Sequence, residues 1–517
     1  MRHFRRLGPI GDDVSPAIER ASHRPARVET ELKFQVPDGR SAALRRAVHT
    51  ATARTTRLQA VYFDTPDRRL AGAGLALRLR KEGANWVQTL KGRGDGIAQR
   101  LEDEVPLPAV PLRAAQPALD PLRHAGTAAG EALSQALAGA EPLTVIFRTD
   151  IQRVHRHVRT GGALIEIAHD RGEIVAGGHR LAVDEIEFEL IAGPPAALAA
   201  LAARWAARFG LWWDVRTKSE MGHRLAQGVH RVPAVMAVPL VLAARTGTGE
   251  AWRAMLQTAL AQALANAAEL AGGCGEPEHL HQLRVALRRL RTVLRVYAPW
   301  GGDAAAALAL EADWRAPFAE LGAARDGDVL EATLRAALIG ARTPDFVWPA
   351  PPAVASPADH TRSVAFNALL LRTLALARVD LPVAPIAQPL ADAARDRLQA
   401  LWRRVRRASR SFESASLDER HRLRKQLKRL RYALEPMARV LKAKPGDRLH
   451  KALTAALDAL GKLNDLHVAE AAFRRCAESD PAAWFAVGFV VARREAAERL
   501  AGRRLAALAA RPLVWRG

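Results

Sequence analysis

From Val28 to Val36 polar and apolar side chains alternate: Glu29, Glu31 and Lys33 share one side of an extended chain, and Thr30, Leu32 and Phe34 the other. Leu77–Arg80, Arg100–Val105 and Asp184–Leu190 repeat the pattern, the last placing Glu185, Glu187 and Glu189 opposite Ile186, Phe188 and Leu190. Alternating runs at 61–64, 75–81, 86–91, 99–105, 144–159, 163–168 and 181–190 predict a mostly β unit. Gly/Asp clusters such as Lys91–Gly96 and Asp170–Gly172 separate the runs. A helix is expected at about 128–138, and the Ala/Leu-rich stretch Pro195–Phe209 reads as a helix closing the unit. A single such run fits an edge strand with one wet face. Rows of like charge repel unless compensated, and their recurrence favours a barrel with apolar outer faces and a charged lumen. Acidic rows there could hold a divalent metal, and basic rows a polyanion.

Beyond Glu250 the period becomes helical, and the chain repeats itself. His281, Arg284, Arg288 and Arg291 recur as His421, Arg424, Lys428 and Arg431, 140 residues on. Leu321–Asp328, with Arg325 and Asp326, is echoed by Leu460–His467, with Asn464 and Asp465. The natural reading is two copies of one multi-helix unit about a pseudo-twofold axis. Offsets 0, 3, 7 and 10 fall within roughly 80° on a helix. Each copy therefore carries a basic stripe, with Tyr432 beside the second. Leu283, Leu287, Leu290 and Leu294, and likewise Leu423, Leu427, Leu430 and Leu434, would pack inward. Such stripes also fit a solvated Arg-rich face. Like charges stacked three and four apart destabilise a lone helix, so their repetition points to a ligand dense in negative charge.

Composition sharpens this. The net charge of +23 on 517 residues is uneven, +8 in residues 1–250 and +15 in 251–517, which favours an anionic partner. Aromatics are only 5% of the chain, and no stacking platform or base-reading motif accompanies the stripes, so phosphates without bases fit better than nucleic acid. Cys274 and Cys476 are too few for a disulfide framework or a cysteine metal site. No apolar segment follows the basic first residues as a secretory signal would require. Val232–Ala244, the most apolar run, is too short to span a bilayer and contains Pro233 and Pro239. A reducing cytoplasm and no membrane partner are expected.

The motifs in order resemble a known pair of domains. Glu29-Thr30-Glu31-Leu32-Lys33 resembles the opening ExExK motif of the CYTH domain, the triphosphate tunnel metalloenzyme family. Tyr62–Pro66, Leu75–Arg80, Gln88–Gly92, Glu102–Glu104, Asp170–Ile174, Glu185–Leu190 and Thr217–Gly222 follow in that family's order. The helical half resembles a CHAD domain. Composition, the internal repeat and the resemblance together divide the chain into a loose tail (1–26), a tunnel domain (27–230), a linker (231–249) and a helical domain (250–512) with repeats at about 250–342 and 358–512. The resemblance implies an α+β multidomain protein: an eight-stranded antiparallel β-barrel, then an all-α domain of two pseudo-symmetric helical-bundle repeats. By the same resemblance Glu29, Glu31, Glu185, Glu187 and Glu189 would face two divalent cations, Mg²⁺ or Mn²⁺, with Asp170 as a further ligand or water-orienting group. Lys33, Arg78, Arg80, Lys91, Arg153 and Lys218 would hold phosphate oxygens. Glu102 and Glu104 would anchor these basic groups from the opposite wall. Glu29, Glu31, Lys33 and Asp170 would carry the catalysis. The stripes, with Tyr432, would bind inorganic polyphosphate.

No P-loop, Ser/His/Asp order or cysteine nucleophile is present, so water would attack the phosphoanhydride directly. The first hypothesis is therefore a metal-dependent inorganic triphosphatase with a polyphosphate-binding domain. The second is a non-catalytic protein tethered to polyphosphate granules, and the third a hydrolase or cyclase acting on an organic triphosphate.

Overall fold

The computed structural model describes residues 27–94, 96–108, 116–243, 245–341, 343–348, 355–377, 388–441 and 443–511, without the side chains of 27, 28, 93, 323–333, 336 and 443–448. The expected tail (1–26), part of the Pro-rich stretch at 343–357 and the side chains of Arg325, Asp326 and Asp328 lie outside the described residues.

The first half runs β1 (Arg27–Gln35), α1 (Ser41–Val48), β2 (Arg54–Asp64), α2 (Arg69–Gly72), β3 (Ala76–Glu82), β4 (Asn85–Arg93) and β5 (Gln99–Leu107). It continues with α3 (Ala128–Leu137), β6 (Thr144–Thr160), β7 (Ala163–Ala176), β8 (His179–Ala192), α4 (Pro195–Phe209), the two-residue β9 (Trp212–Trp213) and α5 (Lys218–Gln227). Eight antiparallel strands follow the order β5-β4-β3-β2-β6-β7-β8-β1, and pairing of β1 with β5 closes them into a barrel. The register sets Glu31 beside Glu189, Lys33 beside Glu187 and Gln35 beside Glu185. Alternation then turns these charges inward, while Leu32, Phe34, Ile186 and Phe188 are buried outside. The strands outrun their sequence signal. β7 passes straight through Asp170–Gly172, which the Gly/Asp pattern marks as a break. Gly172 is required by close approach: a Cβ there would stand 2.0 Å from the Asp150 carbonyl oxygen.

Helix α5 lies across β6, β7 and β8. Thr217 caps its first turn, its hydroxyl accepting from the Glu220 N–H at 2.9 Å. Gly222 lets it settle on the barrel, since a Cβ there would stand 2.3 Å from the Phe147 ring. Lys218, at its first turn, is thereby lowered into the lumen.

The second half comprises α6 (Thr248–Ala271), α7 (Pro277–Val296), α8 (Ala304–Asp313), α9 (Arg315–Gly340), α10 (Pro357–Arg362), α11 (Val364–Leu376), α12 (Leu390–Arg410), α13 (Leu417–Leu434), α14 (Ala443–Ala477) and α15 (Ala483–Ala509). Hairpin α6–α7 corresponds to α12–α13, and the striped helices α7 and α13 pack against each other. Both begin with a reciprocal cap, Glu276/His279 and Ser416/Glu419. Their leucine faces are buried, and the Tyr297 hydroxyl donates to the Ala433 carbonyl at 2.7 Å.

The two halves share one apolar core, running from Leu32, Phe34 and Trp213 through α4 to Trp252, Leu256 and Phe366. At the seam the Trp213 N–H donates to Asn367 Oδ1 at 2.8 Å. Helix α6 starts at Thr248, inside the segment read as linker. No helix among the described residues is long and apolar enough to cross a membrane.

Candidate active site

The lumen is a cavity of about 1000 Å³. Glu29, Glu31 and Lys33 of β1, Arg78 and Arg80 of β3, Lys91 of β4, Glu102 and Glu104 of β5, Arg153 of β6, Asp170 of β7, Glu187 and Glu189 of β8, and Lys218 of α5 all line it. Glu185 is buried behind this wall, where it accepts from Lys33 Nζ at 2.8 Å. The sequence candidates thus converge on one space, in two unequal groups.

The tighter group is Asp170, Glu185 and Glu187, each offering a ligand oxygen within 4.8 Å of the others. Lys218 Nζ reaches Asp170 Oδ2 and Glu187 Oε1, both at 2.8 Å, and also contacts Glu185. Arg153 forks onto Asp170 with two bonds of 2.7 Å and touches Glu187. Burial works to raise the Glu187 carboxyl, yet Lys218 and Arg153 hold it well below the usual carboxylate range. Asp170 is lowered in the same way, against its burial, by Arg153 and Lys218. Burial would depress Lys218, but Asp170, Glu185 and Glu187 hold its ammonium well above the ordinary lysine value. Asp170 and Glu187 are therefore ionised at neutral pH. Asp170 stands at the centre of this group, in contact with both Arg153 and Lys218.

Glu29 and Glu31 belong elsewhere. Lys91 Nζ lies 2.9 Å from Glu29 and 3.1 Å from Glu102, and Arg100 pairs with Glu31 at 2.7 Å. Burial, then the neighbouring Glu102, raises the Glu29 carboxyl, although Lys91 pulls it down. Glu189 lies between Glu31 and Glu166 in the sheet register. Glu102 and Glu104 do not act from an opposite wall. They sit on β5, Glu102 directly across from Lys91 of the neighbouring β4 and Glu104 across from Thr89, and Glu104 reaches past β4 to Arg80 of β3 at 2.9 Å. Arg78 reaches Glu102 at 3.9 Å and donates to the Tyr62 hydroxyl at 3.0 Å.

Several site residues escaped sequence reasoning. Arg100 opens the alternating run Arg100–Val105 but is not among the sequence candidates. Gln35 bridges Glu185 (3.2 Å) and Asp214 (3.1 Å), and Asp214 holds Arg216 with bonds of 2.8 and 2.9 Å. The alternation places Gln35 on the charged face of β1, which is the signal available for it. Asp214 and Arg216 lie in a loop without period.

In the helical half, Arg284, Arg288, Arg424 and Lys428 converge between α7 and α13, faced by Asp465 of α14. Arg288 also donates to the Tyr432 hydroxyl at 3.2 Å. Arg291 turns away to the buried Glu311 at 2.8 Å, and Arg431 lies over the Tyr432 ring. His421 is exposed at the start of its stripe, and His281 is half-buried at the start of the other.

Residues 27–210 match the CYTH domain and residues 254–474 the CHAD domain. The inorganic triphosphatase of Haemophilus influenzae is 33% identical over 137 residues, covering 26% of this chain and 35% of that protein, so the match spans about a third of the relative's length. The solved CHAD domain of the plant Ricinus communis is 28% identical over 53% of this chain and 97% of its own, with a TM-score of 0.41. An adenylyl cyclase candidate from Hippeastrum with a dominant triphosphatase activity is 18% identical over 39% of this chain and 96% of its own, with a TM-score of 0.25. The chain carries a CYTH domain, folded as a closed barrel, followed by a CHAD domain.

Proposed function

We propose that this protein hydrolyses inorganic triphosphate to pyrophosphate and phosphate in its barrel, with a divalent cation, and that its helical domain binds inorganic polyphosphate. The observation that carries this reading is the lumen: three clustered carboxylates against Lys218 and Arg153, with Arg78, Arg80 and Lys91 along the remaining wall. An all-oxygen donor set suits a hard ion such as Mg²⁺ or Mn²⁺. Glu185 Oε1 supports the fit, being buried with only an ion-pair contact and no hydrogen bond. Asp170, Glu185 and Glu187 would hold the ion, with Glu29, Glu31 and Glu189 along the same wall available to a second. The bound ion supplies neutralisation of the charge on the phosphoryl oxygens.

The protein's residues do the rest. Arg78, Arg80, Arg153 and Lys91 hold the chain in line, and Lys218 stays charged against its oxygens. Water attacks the terminal phosphorus, the bond to the bridging oxygen breaks, and pyrophosphate leaves. We assign the water's proton to Glu29 when no second ion occupies it, since burial raises its carboxyl. If folded Glu29→Gln and Glu187→Gln variants both hydrolyse tripolyphosphate at the wild-type rate, the lumen is not the site.

The reading as a polyphosphate-binding protein without turnover rests on the cluster between α7 and α13, which stands apart from the barrel. It is distinguished by charge reversal at Arg284, Arg288, Arg424 and Lys428, which abolishes polyphosphate binding under either reading but leaves tripolyphosphate hydrolysis only under the first.

A further inference from the structure

Gln262, Asn266 and Glu269 lie at i, i+4 and i+7 on α6, one face of the helix, and each is at most 4% exposed. Buried polar groups are costly unless paired; Asn266 and Glu269 find partners in or beside the tunnel domain, and Gln262 mainly on α7, where its Nε2 donates to Gln282 Oε1 at 3.0 Å. Asn266 grips the backbone of Val235 from both sides: the Val235 N–H donates to Asn266 Oδ1 and Asn266 Nδ2 donates to the Val235 carbonyl, both at 3.0 Å. Gln262 Nε2 reaches the same carbonyl at 3.5 Å, and Gln262 Oε1 accepts from Arg289 of α7 at 3.0 Å. Glu269 takes Arg224 of α5 at 2.8 Å and stands 3.7 Å from Arg216.

What α6 holds is part of the tunnel. Val232, Pro233 and Val235 line the lumen together with Arg224 and Gln227. Residues 229–243 form neither helix nor strand, so α6 supplies the side-chain amides that fix this strap. The wall it makes is unlike the rest of the lumen. Valine and proline offer phosphate no donor side chain, and Arg224 is already compensated by Glu269 and Glu220. A phosphate pushed against this wall loses hydration and finds no free cation.

We propose that Asn266 and Glu269 of the helical domain are specificity-determining positioning residues, which hold the strap and Arg224 so that the basic track ends there and the tunnel accepts short phosphate chains in preference to long ones. This rests on reading the barrel as a triphosphatase. The test uses the full chain and compares kcat/KM for tripolyphosphate and for medium-length polyphosphate, with Mg²⁺. Asn266→Ala should raise the long-to-short ratio about tenfold, a discrimination of the size one pocket wall supplies. Its kcat for tripolyphosphate should stay within about twofold of wild type, since it touches no reacting group. Glu269→Gln, which releases Arg224, should move the ratio the same way. Val235→Pro deletes the strap's own N–H at an exposed position and should reproduce the shift even if Asn266→Ala fails to fold. An unchanged ratio in folded Asn266→Ala or Val235→Pro overturns the proposal. If the wild type hydrolyses neither substrate, the triphosphatase reading is lost, and hydrogen exchange at residues 232–235 decides instead. Tripolyphosphate with Mg²⁺ should slow that exchange in the wild type and not in Asn266→Ala; no slowing in the wild type overturns the proposal as well.

Discussion

Lys428 is held near neutrality. Burial, then the charges of Arg288, Arg424 and Arg284, push its ammonium down to about 7, against the pull of Asp465. A polyanion laid across this cluster reverses the balance and draws a proton onto Lys428. Polyphosphate affinity should therefore fall as pH rises from 6 to 8, by up to about tenfold per pKa unit shifted on binding. Calorimetry in buffers of different ionisation heat reads the proton uptake, and Lys428→Arg should remove it. His421 is also held below the ordinary histidine value, by burial and by Lys425, Arg424 and Lys428. The same residue affects stability: between about 7 and the ordinary lysine value the unfolded chain binds a proton that the folded one does not, so its contribution improves as pH rises through that range. In the barrel the sign is the same, but the window lies in the acid range. Asp170 and Glu187 lie below the usual carboxylate range, so the stability they contribute is present above that range and lost as pH falls beneath it. Glu187→Gln should reduce hydrolysis by on the order of 10²–10³-fold, as losing a preorganised electrostatic partner does.

Among the elements, β1 and the pair α7/α13 were legible because their periods are local. Glu29, Glu31 and Lys33 declare a strand face within five residues, and the stripes declare helices within eleven. Long-range pairing was not legible. β2 runs over Arg54–Asp64 because β3 and β6 flank it, although only 61–64 alternates clearly. α1 and α5 are short and mixed in composition, and Lys218 became a lumen group through the packing of Gly222 on Phe147 rather than through any spacing. The polar stripe of α6 looks like a solvent face in sequence, because burial by another domain leaves no mark on the chain that supplies it. The meeting of α7 and α13 gives the element-scale prediction. Tyr297→Phe deletes the bond to the Ala433 carbonyl and should cost about 1 kcal/mol. It should also weaken polyphosphate binding by loosening the helix pair, measured by denaturant unfolding and by titration of the same variant.

At the scale of the whole molecule, the continuous core from Phe34 and Trp213 to Trp252 and Phe366, with the Trp213–Asn367 and Arg224–Glu269 bonds across the seam, couples the two domains. Scanning calorimetry should show one cooperative transition, and two well-separated transitions would refute that coupling. A cut before α6 would open the shared apolar core, remove the Asn367 acceptor of the Trp213 N–H and leave Arg216 and Arg224 without Glu269. Activity is therefore best measured on the full chain. The most direct test of the account is phosphate release by the full-length protein from tripolyphosphate, pyrophosphate, ATP and long-chain polyphosphate, each with Mg²⁺, Mn²⁺ or EDTA. The account predicts turnover that favours tripolyphosphate, requires the metal and collapses in Glu187→Gln. Turnover that persists in EDTA, or none from tripolyphosphate with either metal, would contradict it.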